Sequence, residues 1–455
     1  MPYEGEFAQY RSLRRIAESE KVKQLLGEYK VRETAGESAL PDTIPVDELP
    51  PSDWKPDWVL AVDGSHHEVP VKNGFPGAEA SYLTVASVLL DVEKIRTLDR
   101  DRPVDPKVFR TTEQAESIDW AFPGCNVISA GESSAKDSLR KSLFEVLGDK
   151  QMSADSESLL DTYEALLAYK PTGGHDQKCP YENCPVNDGA YRRGSGKYAC
   201  GCQDARTLYS TDALRIHEGM NPAGTNGKMF AEIMQVLERV WVIHILRTLE
   251  KKRWLSSLRK MAIVVDGPLA IFGHPAWLSQ AIVKELSRLN AVAKSATDGQ
   301  DILMIGIEKT GEFVEHFRQI DIDENGGAGK FQPQQVALLT DGYIKRNIIF
   351  SESSKPYGRD TYFGRKFFYK TRSGAQIVAM LPFLEEGHSD LSTAELSQFP
   401  RLSDAIGLLD SLVSSRYPNA LSPLVAANAE AAIPLNLGKK VLEKLAKELI
   451  SENRR

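Results

Sequence analysis

The chain has 455 residues, room for two or three domains, and its 42% hydrophobic and 26% charged residues are ordinary for a globular protein. A net charge of −7 excludes a uniformly basic nucleic-acid coat protein, but not a local basic groove. The opening segment MPYEGEFAQYRSLRR has no apolar core of signal-peptide type, and no run is as long as a membrane span, so a cytoplasmic protein with no membrane partner is expected.

Residues 1–56 read as an N-terminal helix and linker: Phe7 to Tyr29 has apolar residues at helical spacing, and 30–56 is polar and proline-rich toward its end. The apolar run Val59 to Val62 then stops at Asp63-Gly64, which predicts a buried strand ending in a carboxylate. The plain structural alternative is an Asx turn in which Asp63 bonds its own backbone. Ser81 to Leu90 reads as a second strand, so residues 57–90 form a hairpin that begins the core. Residues 91–227 look inserted. Within them 91–135 reads as irregular, while 136–148 and 155–169 read as amphipathic helices.

The segment 175–205 changes character. Four of the five cysteines lie here, spaced Cys179-x4-Cys184-x15-Cys200-x-Cys202. In a reducing compartment such clustering favours metal over disulfides, and four thiolates suit a closed, structural Zn²⁺ site of zinc-ribbon type, with His175 as a substitute ligand. A closed site leaves no open position for water, so no catalysis is assigned to it.

Lys228 to Lys252 is the strongest helical stretch, apolar on nearly every face from Val240 to Leu246. Glu238 has Met234, Trp241, Val242 and Ile245 at its helical neighbour positions, an apolar face on which a carboxylate needs a partner or a cation. Glu232 has Gln235, Val236 and Arg239, a more solvated face. An ion pair from Glu238 to Arg239 or Arg247 is the structural alternative.

Met261 to Leu269 repeats the first pattern, an apolar run ending in Asp266-Gly267, and Val336 to Tyr343 repeats it again at Asp341-Gly342. Strand-end carboxylates with one from a buried helix suit divalent cations with hard oxygen ligands, and a pair of such ions about 4 Å apart suits phosphodiester hydrolysis. Between them, 275–289 reads as a helix, 301–307 as a strand, 312–321 as a helix and 321–330 as a solvated acidic loop. Residues 355–372 hold six basic and six aromatic residues. They suit a nucleic-acid track through Arg359, Tyr362, Arg365, Lys366 and Lys370, or equally a hairpin with its aromatics in the core. Helices are expected at 402–416 and 438–451. The core resumes over 228–440, and a C-terminal helix occupies 441–455. There is no Walker loop, GxGxxG or GxSxG, and adjacent Ser65, His66 and His67 on an extended chain do not make a triad.

The order of these motifs resembles the NurA-type nucleases: a strand ending in Asp-Gly-Ser, a long helix with an embedded Glu, a strand ending in Asp-Gly-Pro-Leu, and a closing PLVAANAEAAIPL. The resemblance covers about residues 57–65, 228–272, 300–385 and 400–440. It implies an α/β fold with an RNase H-like mixed sheet flanked by helices, here carrying an inserted helical and zinc-ribbon-like region. It implies Mn²⁺- or Mg²⁺-dependent cleavage of DNA, with 5′-to-3′ exonuclease and endonuclease activity, by a homodimer docked on a hexameric HerA-type ATPase translocase. It places this activity in DNA end processing or anti-phage defence. Carried over, Asp63 and Asp266 match the metal-binding aspartates and Glu238 the helix glutamate. Archaeal members tend to have a His where this chain reads Ala427-Asn428-Ala429, so Asn428 is the candidate for that position. Asp341 and Lys345 are additional candidates, Lys345 with Arg365 and Lys366 for neutralising transition-state charge. The rival readings are a non-catalytic DNA-binding adaptor working through its zinc ribbon, and another RNase H-like nuclease.

Overall fold

The structure, a computed structural model, describes residues 10–29, 40–72, 77–97, 113–149, 156–171, 179–181, 184, 195–202, 205–323, 327, 329–413, 421–432, 441–442 and 444–447. The chain divides into two units, Met1–Leu40 and Pro41–Arg455. The first contains helices Tyr10–Glu18 and Glu20–Glu28, the second of which is capped by the Ser19 hydroxyl.

In the larger unit the short strand β1 (Ile44–Pro45) precedes the long hairpin β2 (Trp58–Lys72) and β3 (Ala78–Asp91), and β4 (Glu113–Pro123) completes a meander. The strand β4 falls in the stretch read as irregular. Its alternation of Ile118, Trp120 and Phe122 with Asp119 and Ala121 is a period-2 signal, and Ile118 and Phe122 are buried. A small sheet pairs β5 (Lys197–Ala199) with β6 (Thr207–Tyr209). The main sheet continues with β7 (Met261–Asp266), β8 (Met304–Glu308), β9 (Gln335–Leu338), β10 (Gly364–Lys370) and β11 (Gln376–Pro382). Its order is β1-β9-β10-β11-β8-β7-β2-β3-β4. The pairs β2–β7 and β7–β8 are parallel, and the other neighbours are antiparallel.

Alternation along β2 and β7 divides the core. Leu60, Val62, Ile263 and Val265 face the long helix Gly227–Lys251, which packs with Leu278–Ala296, Ala135–Asp149 and Leu159–Leu167. Val59, Ala262 and Val264 face the other layer, with Leu402–Leu412 and Ser422–Ala431. The apolar girdle of the long helix is buried as its sequence requires, with Val240, Trp241 and Leu246 at most 1% exposed, each such side chain contributing about 1.5–3 kcal/mol. His244, inside this girdle, meets the Thr162 hydroxyl, and burial pushes its pKa down to about 4, so it is neutral.

Two carboxylates sit at the N-terminus of this helix. Glu79 accepts from the Asn226 amide at 3.0 Å, and a Cβ on Gly227 would overlap Glu68. Negative charge there stabilises the helix by about 0.3–1 kcal/mol per group, and ties its start to the far end of the β2–β3 hairpin. Among the described residues no helix is long and apolar enough to cross a membrane.

Candidate active site

The Asp63-Gly64 doublet does not end its strand. The pairing of β2 with β3 runs on from Asp63↔Ala86 and Gly64↔Val85 toward Lys72. What ends is the parallel pairing with β7, whose last partners are Val62 and Val265. Beyond that point β7 stops at Asp266, and Gly267, at a φ of 76°, turns the chain away. A residue with a Cβ would be strained in that turn. The separation opens a cleft of about 900 Å³ lined by Asp63, Glu238, Asp266, Arg239, Glu308 and Lys309, with Phe272, Phe313, Tyr357 and Tyr362 on its walls.

Each aspartate is aimed by the glycine after it. The Gly64 N–H donates to Asp63 Oδ1 at 2.8 Å, and the Gly267 N–H to Asp266 Oδ1 at 2.9 Å. The Asx-type contact therefore coexists with the clustering, since the second oxygen of each carboxylate is left for other partners. Glu238 arrives from the long helix. It approaches so closely that a Cβ on Gly64 would overlap its carboxylate, which gives that glycine its reason.

The cluster is electrostatically costly. Burial, then the charges of Asp266 and Glu238, push Asp63 up to about 8, with Lys309 acting in the opposite direction. Burial pushes Glu238 up to about 7, against the pull of Arg239 and with the push of Asp266. Lys309 Nζ lies 2.8 Å from Asp266 Oδ2. Arg239 Nη1 lies 3.3 Å from Glu238 Oε2, while its Nη2 donates to the carbonyls of Asp266 and Pro268 at 3.0 Å each. Arg239 thus fixes the turn after β7 to the helix that carries Glu238. Asp63 and Asp266 are in side-chain hydrogen-bond contact, which also raises Asp63, but the three carboxylates as a set do not all close to within 4.8 Å of one another, whereas the thiols of Cys179, Cys184 and Cys200 do.

The Glu232 face is less solvated than its sequence neighbours suggest. Glu232 is buried, but it lies farther along the cleft against Gly273 and pairs with His274 Nδ1 at 3.1 Å. Asp341 is not a strand-end carboxylate. β9 ends at Leu338, Thr340 caps a helix Asp341–Asn347, and Asp341 bonds the Tyr357 N–H and pairs with Lys345. Lys345 also donates to the carbonyls of Ser353 and Lys355, so both residues build a loop rather than join the cluster. Asn428 is exposed on helix Ser422–Ala431, between Ala427, which packs with Ala61, and Ala431, whose carbonyl accepts from Ser65. That register sets it at the height of Asp63 along β2, outside the residues lining the cleft.

The expected nucleic-acid track over 355–372 is corrected at three positions. Arg365, Lys366 and Lys370 are buried in β10. Lys370 is held by both Asp321 oxygens and the Phe331 carbonyl. Lys366 pairs with Glu308. Arg365 donates to the carbonyls of His388, Asp390 and Thr393. Buried cations held by internal acceptors are not available to phosphates. Arg359 is exposed, and Tyr362 forms part of the cleft wall. His66 and His67 lie on β2 and do not line the cleft.

In the cysteine-rich segment, Cys184 and Cys200 Sγ are 3.5 Å apart and Cys179 and Cys200 Sγ are 3.7 Å apart. Burial raises Cys179 and pushes Cys200 up to about 12. Cys202 is buried in the same cluster, and His175 lies outside the described residues.

Sequence reasoning missed Lys309 and Glu308 and gave Arg239 only a structural role. The one signal for Lys309 was its place just past the third parallel strand.

Fold and site together define an α/β protein with a mixed sheet, helices on both faces, and an acidic cleft where parallel strands separate. The model of one family, the NurA domain, matches residues 58–433. The chain belongs to the NurA domain family. Among solved structures it is similar to the crystal structure of the NurA nuclease from Sulfolobus solfataricus, at 8% identity and a TM-score of 0.33, over 91% of this chain and 88% of that one. No curated protein matches it.

Proposed function

We propose that the protein is a divalent-metal-dependent deoxyribonuclease, with Asp63, Glu238 and Asp266 as its metal-holding residues. The observation that carries this is the convergence of three carboxylates from distant segments in one open cleft, two of them with raised pKa values. Oxygen donors of this kind fit Mn²⁺ or Mg²⁺, and a cation would offset the repulsion among the carboxylates in their ionised form. When bound, such ions supply a water of lowered pKa and neutralise charge on the phosphate and the leaving oxygen. The chain's own residues do the rest. Gly64 and Gly267 aim the aspartates, Arg239 ties Asp266 to the Glu238 helix, and the wall aromatics Phe272 and Tyr362 offer faces on which bases stack.

The strand order supports the RNase H-like reading: an antiparallel meander β4-β3-β2 is extended by β7 and β8, both parallel to β2. The family reading extends to 5′-to-3′ exonuclease and endonuclease activity, a homodimer, a HerA-type hexameric partner, and a cytoplasmic role in DNA end processing or phage defence. Coexpression with such an ATPase and a mass measurement test the assembly. The cysteine cluster is read as a structural zinc site: tetrahedral ligands at about 2.3 Å from Zn²⁺ lie about 3.8 Å apart, close to the Sγ separations here.

The decisive test is cleavage of a linear duplex with Mn²⁺ by wild type, Asp63→Ala and Asp266→Ala. Activity is expected in wild type, lost with EDTA and lost in both variants. Undiminished cleavage by either variant would sink the assignment.

A further inference from the structure

We propose that Lys309 is an exchangeable counter-ion of Asp266, one that moves to the scissile phosphate when a divalent cation takes its place. The proposal rests on the nuclease reading and adds to it a residue that contacts substrate.

Lys309 follows Glu308, the last residue of β8, and precedes Thr310-Gly311 at the start of helix Glu312–Ile320. Its Nζ is 2.8 Å from Asp266 Oδ2, yet its side chain remains 28% exposed. The other cations lining the cleft differ. Arg239 is buried and held by two carbonyls, and Lys228 is exposed on the first turn of the long helix. Among the described residues lining the cleft, Lys309 combines a direct ion pair to the cluster with a flexible stem that reaches solvent.

A single ammonium only partly neutralises three facing carboxylates. A divalent ion held by Asp63, Glu238 and Asp266 would draw on the carboxylate that Lys309 pairs with, so the two cations would compete. The ammonium, once displaced, stays tethered in the cleft, where a phosphodiester brings two non-bridging oxygens. There it donates a hydrogen bond to one of them and keeps its own proton. The water oxygen adds to phosphorus, the bond to the leaving oxygen breaks, and the water's protons pass to the leaving oxygen and to solvent. Extra positive charge at the phosphate stabilises the charge that builds up on those oxygens.

The test uses full-length wild type, Lys309→Gln, Lys309→Met and Lys309→Arg. A DNA-free titration with Mn²⁺, read by the paramagnetic resonance of the free ion, should show roughly 5-fold tighter binding in Lys309→Gln and Lys309→Met, because a competing ion pair is gone. Lys309→Arg should stay within about 2-fold of wild type, since it keeps the charge. At saturating Mn²⁺, kcat on a linear duplex should fall by about 10²-fold in the two neutral variants, with KM changing much less. Equal or weaker Mn²⁺ affinity in both neutral variants overturns the proposal, and so does an unchanged kcat. Failure of the nuclease reading looks different: wild type would bind Mn²⁺ and leave DNA intact.

Discussion

Replacing Asp63 by asparagine should make the metal-free protein more stable, and only at higher pH. The wild-type carboxyl sits at about 8 in the folded chain against 3.8 in the unfolded one, chiefly through burial and the nearby Asp266 and Glu238. A raised carboxyl pKa means that the folded state holds its proton more tightly. Its stabilising contribution is therefore complete below about pH 4 and is lost as pH rises toward about 8. At about 1.4 kcal/mol per pKa unit the full shift bounds the effect at about 5–6 kcal/mol. The opposing pull of Lys309 is already counted in that shift, and water in the open cleft screens the charges and reduces the effect to about 1–3 kcal/mol. The substituted amide cannot ionise, so the gap between Asp63→Asn and wild type should open between pH 4 and pH 8. The assay is thermal unfolding in EDTA across that range, repeated with Mn²⁺. A rise of about 2–6 °C at pH 8 is expected for the variant, and Mn²⁺ should stabilise wild type more than the variant. A variant no more stable than wild type at pH 8, or a gap independent of pH, would refute the reasoning.

Gly64→Ala should abolish cleavage and lower stability by about 1–3 kcal/mol, because its methyl group would occupy the space of the Glu238 carboxylate. Normal activity in a well-folded Gly64→Ala protein would contradict that contact. Lys370→Met should cost about 3–5 kcal/mol by leaving buried Asp321 without its counter-ion, while DNA affinity per folded molecule stays the same. A loss of DNA affinity with an unchanged melting curve would restore Lys370 to the DNA surface. Cys184→Ser should release about one equivalent of zinc on metal analysis and loosen the 179–209 region to proteolysis, leaving the cleft chemistry intact in the surviving fold. Retention of full metal content would remove the zinc assignment.

The sequence was most informative where one pattern had one physical solution. The β-branched runs at Val59 and Ala262 had to be buried strands, and the girdled helix had to cross the core. Glu238 on its apolar face had to meet something, and it meets Gly64 and Arg239. The doublet at Asp341 shows where such reading stops. Asp-Gly after an apolar run also begins a helix when a Thr precedes it, and Thr340 does. The basic and aromatic residues of β10 misled for a different reason. All seven positions of that strand are buried, and the acceptors that accommodate its cations come from residues 308, 321, 331 and 388–393. Nothing local announces those partners. Lys309 was invisible for the same reason, because its meaning depends on Asp266 lying in the neighbouring strand.

The position of the cluster follows from how the sheet changes neighbours. In a sheet with both faces covered, an interior strand admits a charge only where buried acceptors meet it, as in β10, and Val59 to Val62 carries none. At Asp63 the strand keeps one partner, β3, and loses the other, β7. That one-sided pairing holds the carboxylate rigidly while opening space beside it. Asp266 ends the departing strand, so the two aspartates face each other across the gap between the strands. A helix crossing this gap can deliver a third carboxylate only where the strand below has no side chain, and Gly64 supplies that place. The repulsion stored there is tolerated because the surrounding sheet is fixed elsewhere, by Arg239 on the turn after β7 and by buried pairs such as Lys370 with Asp321. An arrangement that is least stable when empty and charged is one that a divalent cation stabilises by binding.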